Sequence, residues 1–167
     1  MTMAPTQPLR EEHKELLPHL ESLRAAGDAV GAAPSAVVRQ RVDEAYDFLA
    51  HHLLPHATAE ERALYPVVGK VIGAPEATRT MSRDHVEVGR LVEELAALRE
   101  RLAAGTLRET EARALRRVLY GLYTLVSVHF AKEEEVYLPL LDARLDADEA
   151  REMFAAMEAA AAEAKRC

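Results

Sequence analysis

Two long stretches of the chain carry core-type residues at alternating steps of four and three, and this spacing constrains the fold more than any other feature. Such steps keep side chains on one face of an α-helix, as on the inward face of a helix in a bundle. We call this face the core stripe. The later stripe comprises Leu115, Leu119, Leu122, Val126, His129, Glu133, Val136 and Leu140, and the earlier one comprises Val42, Tyr46, Leu49, Leu53, His56, Glu60, Ala63 and Val67.

Glycine, proline and capping residues divide the chain into helices separated by short connections. Only 5% of the residues are aromatic, and no alternating β-branched run predicts a strand. Long helices joined by short connections become antiparallel neighbours, so we predict an all-α, up-down-up-down four-helix bundle with a short additional C-terminal helix. The predicted helices are A (about 8–26), B (about 36–71), C (about 77–104), D (about 107–144) and E (about 148–165).

The predicted organisation is a single bundle domain with two short flanking segments. Residues 1–8 form an N-terminal tail, residues 9–144 form the bundle, and residues 145–167 form a capping helix across its end or flank. The net charge of −7 argues against nucleic acid as a partner, because phosphate binding needs a basic face. No signal peptide or membrane-spanning stretch is visible in the sequence, so we expect a cytoplasmic protein that does not bind membranes.

Each of the four bundle helices places one histidine on its core stripe, and helices B and D each add a glutamate four residues later. Buried carboxylates require pairing, protonation or a metal ion. A lone histidine on a core face is more often a hydrogen-bonded core residue than a ligand, but four helices that share the pattern favour a metal site. The candidate ligands are His13, His56, Glu60, His85, His129 and Glu133.

The phrase "HATAEERALYP" at His56 returns as "HFAKEEEVYLP" at His129, 73 residues later. The A–B hairpin therefore repeats as the C–D hairpin, and a pseudo-twofold arrangement would bring two half-sites together. Four imidazoles and two carboxylates exceed the needs of one tetrahedral zinc and suit two metal ions bridged by the glutamates. Mixed nitrogen and oxygen ligation with open positions favours iron, with manganese or zinc as lesser alternatives.

Ferritin-like di-iron proteins repeat Glu-x-x-His, and no histidine here has Glu three residues before it. Instead, "EEH", "HATAEERALYP", "RDH" and "HFAKEEEVYLP", in that order, resemble the hemerythrin-like (HHE cation-binding) domains over about residues 9–142. The resemblance implies a non-haem di-iron centre, oxo- or hydroxo-bridged, whose ligands match the six candidates above.

The chain departs from the oxygen-carrying hemerythrins at two positions. Those proteins have a second helix C histidine where this chain has Gly89, and they end with Asp five residues after the last His, where this chain has Glu133 at four. The set of histidines and glutamates looks more like that of the iron–sulfur cluster repair di-iron proteins. We therefore expect metal binding rather than oxygen carriage, with the vacancy at Gly89 leaving one iron open.

Several residues near the candidate ligands carry weaker expectations. His19 and His52 could support the site or replace the ligand missing at Gly89, whereas His51 should point outward. The positions of Glu61, Glu134 and Glu135 around their helices lie away from the core stripe, so we predict that these side chains are solvated. Tyr65 and Tyr137 are predicted to fasten helix ends rather than reach the metal.

Two functional classes fit such a site. The first is a protein that binds or senses O2, NO or peroxide. The second is a di-iron oxidoreductase, either catalase-like or NO-detoxifying, and a third, weaker alternative is iron storage or donation. No signalling, helix-turn-helix or flavin motif in the sequence separates these alternatives.

Overall fold

A computed structural model describes residues 4–166 and confirms the predicted all-α bundle, with no strand in that part of the chain. Four long helices and a C-terminal helix make up the fold. Among residues 4–166, no helix is long and apolar enough to cross a bilayer. The helices are α1 (Gln7–Ala29), α2 (35–72), α3 (Arg79–Ala104, after a 3-10 turn at Pro75–Thr78), α4 (109–142) and α5 (Ala147–Ala164).

Helix α1 continues to Ala29, about three residues into the connection predicted between helices A and B. Gly27 is buried within the helix because the ring of Tyr120 lies where its Cβ would be, with the ring Cε1 only 2.8 Å from that position. The Tyr120 hydroxyl then donates a hydrogen bond to Asp28 at 2.7 Å. This glycine therefore serves the packing of α1 on α4 and does not end the helix.

The helices pack in a ring in which α1 and α3 each contact both α2 and α4. One buried apolar cluster fills one end of the ring and includes Leu20, Leu49, Leu95 and Leu119. A second cluster fills the other end and includes Leu9, Leu64, Met81, Leu138 and Met153. Each bundle helix passes from one cluster to the other through its stripe histidine, so the histidines and glutamates form a polar layer between two apolar ones.

Helices α2 and α4 are interrupted by three π-helical turns, at Leu49–Leu53, Glu60–Leu64 and Glu133–Tyr137. In each case the second residue of the next α-helical segment is proline: Pro55, Pro66 or Pro139. Proline donates no backbone hydrogen bond and its ring crowds the carbonyl four residues earlier, which favours a wider turn there. Two of the π turns begin at the stripe glutamates themselves.

The π turns change which residues face the core. Val136 and Leu140 were predicted on the core stripe, but Val136 is 57% exposed and Leu140 is only partly buried. Leu138 and Leu141 are fully buried in their place. One extra residue in the turn rotates the rest of α4 by about 100°, so the prediction from unbroken α-helical spacing was wrong beyond Glu133.

Helix α5 packs along the flank of α2, over the segment that contains the second π turn. Met153, Met157 and Ala160 are buried there with Ala59 and Ala63. Asp146 caps its N-terminus by accepting hydrogen bonds from the backbone of residues 148 and 149. The helix thus covers the outer side of the α2 segment whose inner side carries the candidate ligands.

Candidate metal centre

The structure brings all six predicted ligands together in the polar layer. Five of them are at most 4% exposed, and the sixth, His85, is partly buried. Their donor atoms form two overlapping groups, each spanning no more than 4.8 Å. The first group is His13, His56, Glu60 and Glu133, and the second is Glu60, His85 and His129.

Glu60 belongs to both groups because its two carboxylate oxygens face different histidine pairs. Its Oε1 lies 2.9 Å from His56 Nε2 and 3.9 Å from His13 Nε2. Its Oε2 lies 3.1 Å from His85 Nε2 and 3.7 Å from His129 Nε2. A carboxylate in this position can bridge two cations.

Glu133 is less evenly shared. Its Oε2 lies 3.3 Å from His13 Nε2, and its Oε1 lies 3.4 Å from His129 Nε2. The Oε1 atom also accepts a hydrogen bond from the Tyr65 hydroxyl at 3.0 Å. One oxygen therefore remains available to the first group while the other has a protein partner.

The polar layer contains buried atoms that the protein itself does not satisfy. Nitrogen and oxygen atoms of the layer approach within 2.9 Å of one another, but several lie off the hydrogen-bonding direction. Unpaired buried polar atoms are costly, and convergent imidazole and carboxylate donors are typical ligands of transition metals. The residues therefore fit a metal-bound state. Among residues 4–166, the buried side-chain atoms without a hydrogen-bond partner are His13 Nε2, His56 Nε2, Glu60 Oε1, Glu60 Oε2 and Glu133 Oε2.

Electrostatics within the layer favour protonated imidazoles beside ionised carboxylates. Burial lowers the pKa of His13, but the carboxylates of Glu133 and Glu60 outweigh it and raise this pKa to about 9. The same opposing effects raise the pKa of His129 to about 10. Burial would raise the pKa of Glu60, yet the charge of His56 and the other nearby imidazoles hold it well below its ordinary value. Without metal, the histidine protons balance the carboxylate charge.

Each stripe histidine also has a carboxylate at its outer nitrogen, Nδ1. Because a carboxylate can only accept, the Nδ1–H donates in all four pairs. Each carboxylate comes from the preceding helix in chain order, and α4 closes the circle to α1. We call these four residues the carboxylate ring. The pairs are His56 with Glu12 (2.9 Å), His85 with Glu61 (2.7 Å), His129 with Asp84 (2.9 Å) and His13 with Glu134 (2.7 Å).

The prediction that Glu61, Glu134 and Glu135 are solvated neighbours holds for the exposed Glu135 and only in part for the other two. The side chains of Glu61 and Glu134 are about a third exposed, but each accepts a hydrogen bond from a stripe histidine. Both side chains leave the core stripe of their own helix, but they reach the histidine of the adjacent helix. The sequence contains a signal for the ring: an acid directly precedes His13 and His85 in "EEH" and "RDH". A second glutamate likewise follows each stripe glutamate directly. These two residues, Glu61 and Glu134, are 73 positions apart, as the two phrases of the repeat are.

Tyr65 was predicted to fasten a helix end, and the structure places it inside the polar layer instead. Its hydroxyl lies 3.2 Å from His129 Nε2 and 3.4 Å from His85 Nε2, in addition to its bond to Glu133. The cause is the π turn, in which the Tyr65 N–H bonds to the carbonyl of Glu60, five residues earlier. Residues five apart then share a face. Tyr137, by contrast, donates to the Ala77 carbonyl at 3.2 Å, as a residue that fastens helix ends should.

The two auxiliary histidines stay away from the polar layer. His19 and His52 are exposed, and each stacks on Phe48, at ring-centroid distances of 4.8 and 6.5 Å. Neither replaces a ligand at Gly89, where an added Cβ would meet no atom within 4 Å. His51 is exposed, as predicted.

A small cavity of about 10 Å³ adjoins the candidate ligands. That volume is about what one water molecule requires. Histidines and a glutamate of α2, α3 and α4 form its polar walls, and apolar side chains of the same helices form the rest. The lining includes His56, Glu60, His85, His129, Leu53, Val88, Val126 and Phe130.

Comparison with known proteins identifies the family. The family model described as Hemerythrin HHE cation binding domain matches residues 4–141. These residues include the six candidate ligands and the carboxylate ring. Neither the curated proteins nor the solved structures gave a match to the chain. The family match extends over most of the chain and ends before α5, and it agrees with the order of the histidines and glutamates along the bundle. The chain therefore belongs to the hemerythrin HHE cation-binding domain family.

Proposed function

We propose that this protein holds two iron ions in the polar layer and binds or senses a small molecule, namely O2, NO or peroxide. The observation that carries the proposal is the division of the donors into two groups that share the two oxygens of Glu60. His13, His56, Glu60 and Glu133 would hold one ion, and Glu60, His85 and His129 the other. Iron would supply redox chemistry and open coordination positions.

The size of the cavity supports a small ligand. The space of about 10 Å³ beside the second group is about the size of one water molecule, which favours a ligand of a few atoms over an organic substrate. Its walls of Leu53, Val88, Val126 and Phe130 are apolar, which suits O2 or NO. Storage of many iron atoms would need a larger volume, so this alternative has less support.

A di-iron oxidoreductase, catalase-like or NO-detoxifying, is the second candidate. The observation that favours it is the Tyr65 hydroxyl, which lies within 3.4 Å of two histidine nitrogens beside the cavity. Burial and the charges of Glu60 and Glu133 raise the pKa of Tyr65, so its O–H remains available as a hydrogen-bond donor to a small ligand. We further propose a cytoplasmic location, which cell fractionation would test.

Metal analysis of protein loaded anaerobically with Fe²⁺ tests the di-iron proposal. We expect two irons per chain, and fewer in Glu60→Gln, because the amide cannot offer two anionic oxygens. Glu135→Gln, an exposed control on α4, should match the parent. One iron per chain at saturation, with Glu133→Ala unchanged, would contradict the proposal. Peroxide turnover by the loaded parent would favour the oxidoreductase, and tight reversible NO or O2 binding without turnover would favour the sensor.

A further inference from the structure

A surface pocket of about 670 Å³ opens beside the second donor group, between the end of α2 and the start of α3. Glu61 and Ser82 both line it, and the Ser82 hydroxyl donates a hydrogen bond to Glu61 Oε2 at 2.8 Å. The other oxygen of Glu61 accepts a hydrogen bond from His85 Nδ1–H at 2.7 Å. A single carboxylate therefore links the pocket to a candidate ligand.

His85 is also the candidate ligand that is most accessible to solvent. Its side chain is 11% exposed, whereas the side chains of the other five are at most 4% exposed. Tyr65, whose ring stacks on the His85 ring, lines the same pocket. Among the six candidate ligands, His85 thus stands on the least covered path from the surface to the polar layer.

A polar network spans the equivalent place in the other half of the bundle. Equivalent residues are 72 positions apart between α1 and α3 and 73 apart between α2 and α4, as the stripe histidines are. The Arg10 guanidinium donates to Glu134 at 2.6 Å and to Asp142 at 3.0 Å, and the Thr6 hydroxyl donates to the same Asp142 at 2.8 Å. These four side chains cover the ring carboxylate of His13.

The pocket lies where this network would repeat, and two of its members are reduced in size there. The counterparts of Thr6, Arg10, Glu134 and Asp142 are Thr78, Ser82, Glu61 and Gly69, and all four line the pocket. Ser82 is too short to span the space as an arginine does. Gly69 has no carboxylate to offer, and an added Cβ there would lie only 3.2 Å from the Pro75 Cα. The sequence therefore encodes a covered side and an open side.

We propose that this pocket is the entry route for hydrated divalent metal ions, and that Glu61 is the first protein group to replace their water. The inference rests on the proposed metal-binding function of the polar layer. A charged ion leaves water only where polar groups replace its hydration. Glu61 is the one carboxylate among the residues that line the pocket. An ion with its shell of waters, at about 30 Å³ per water, fits the volume.

Stopped-flow mixing of metal-free protein with Co²⁺ tests the route, because the visible absorption of this ion changes when imidazole and carboxylate replace water. Ser82→Arg copies the covered side, and Ser82→Leu fills the pocket without adding charge. Both should slow association and dissociation by the same factor of about ten, a barrier higher by about 1.4 kcal/mol, and leave Kd unchanged. Ser82→Ala is the matched control, since it removes the bond to Glu61 without filling the pocket, and its rates should match the parent.

A change of charge tests whether the species that enters is a cation. Lys70 lines the pocket and is exposed, so Lys70→Glu should raise the Co²⁺ association rate about tenfold at low ionic strength, and the gain should shrink as salt is added. Lys14→Glu makes the same change at an exposed position beside His13, on the covered side. Its association rate should rise much less.

The outcomes separate the route from the proposed di-iron centre. Parent-like rates in Ser82→Arg and Ser82→Leu, equal slowing in Ser82→Ala, or equal acceleration in Lys70→Glu and Lys14→Glu would each overturn the route while leaving metal binding intact. One ion per chain at saturation, with the expected changes in rate, would overturn the di-iron proposal and support the route. Failure of the parent to bind metal would overturn both.

Discussion

The carboxylate ring sets the direction of each imidazole in the polar layer. A histidine whose Nδ1–H donates to a carboxylate keeps its Nε2 lone pair free and its ring orientation fixed, which raises its strength as a metal ligand. In this protein every ring carboxylate comes from a different helix than the histidine it contacts. Ligand geometry therefore depends on the docking of neighbouring helices.

Removal of one ring member should weaken metal binding without direct loss of a ligand. Glu12→Ala frees the His56 Nδ1–H, and we expect iron affinity to fall about 10- to 100-fold. Competition with a coloured chelator measures this change. Glu11→Ala is the control, since Glu11 is exposed beside Glu12 and accepts a hydrogen bond from Gln7 on the same helix. Equal affinity in Glu12→Ala and the parent would show that the ring is not needed for ligand strength.

The six candidate ligands could be predicted from sequence because each lies on the core stripe of its own helix. The carboxylate ring was missed because its members leave that stripe and meet a histidine on another helix, so their role depends on interhelical geometry. Tyr65 was missed because a π turn, and not the α-helical period, sets its direction. The α-helical period predicts which side chains of a helix face the bundle core. It fails where a π turn changes that period.

The α-helical period fails in α2 and α4 next to their interior prolines. A helix signal that continues through proline predicts at most a bend, yet each interior proline of α2 and α4 follows a π turn by two residues. Pro18 in α1 has no such turn, and that helix continues from Gln7 to Ala29. Proline alone is therefore insufficient.

Gly89 provides a test of helix α3. Glycine costs about 1 kcal/mol relative to alanine in a helix interior, and an added Cβ at Gly89 meets no atom within 4 Å. We therefore expect Gly89→Ala to raise the free energy of unfolding of the metal-free protein by about 1 kcal/mol, measured by urea denaturation. Gly69→Ala should lack this gain, because its Cβ would lie 3.2 Å from the Pro75 Cα. A loss of stability in Gly89→Ala would mean that the space is needed.

Metal binding should stabilise the whole molecule, since the ligands come from all four bundle helices. A ligand at 100 times its Kd contributes about 2.7 kcal/mol, which for a domain of this size corresponds to a rise in Tm of about 5–10 °C. Thermal unfolding of chelator-treated and metal-loaded protein measures the difference. Identical melting temperatures would contradict a buried metal centre.

The metal-induced rise in Tm should depend on pH, and the pKa values of the histidines set the direction of this dependence. In the metal-free protein the pKa values of His13 and His129 are raised to about 9 and about 10, so their protonation stabilises the fold fully below about pH 6.5. This stabilisation is lost as pH rises through 9 to 10. Protons also compete with metal below those values. We therefore expect the metal-induced rise in Tm to grow from pH 6.5 towards pH 9, and a constant rise would contradict these assignments.

The direction of the carboxylate ring makes the two hairpins depend on each other. Within each hairpin only one link is internal, Glu12 to His56 in the first and Asp84 to His129 in the second, while the links from Glu61 and Glu134 cross between hairpins. A lone hairpin would leave one acid and one imidazole unmatched. Two identical hairpins about a twofold axis would satisfy every one of them. The chain thus joins two hairpins that are each incomplete in charge pairing, so neither should form its half of the polar layer alone.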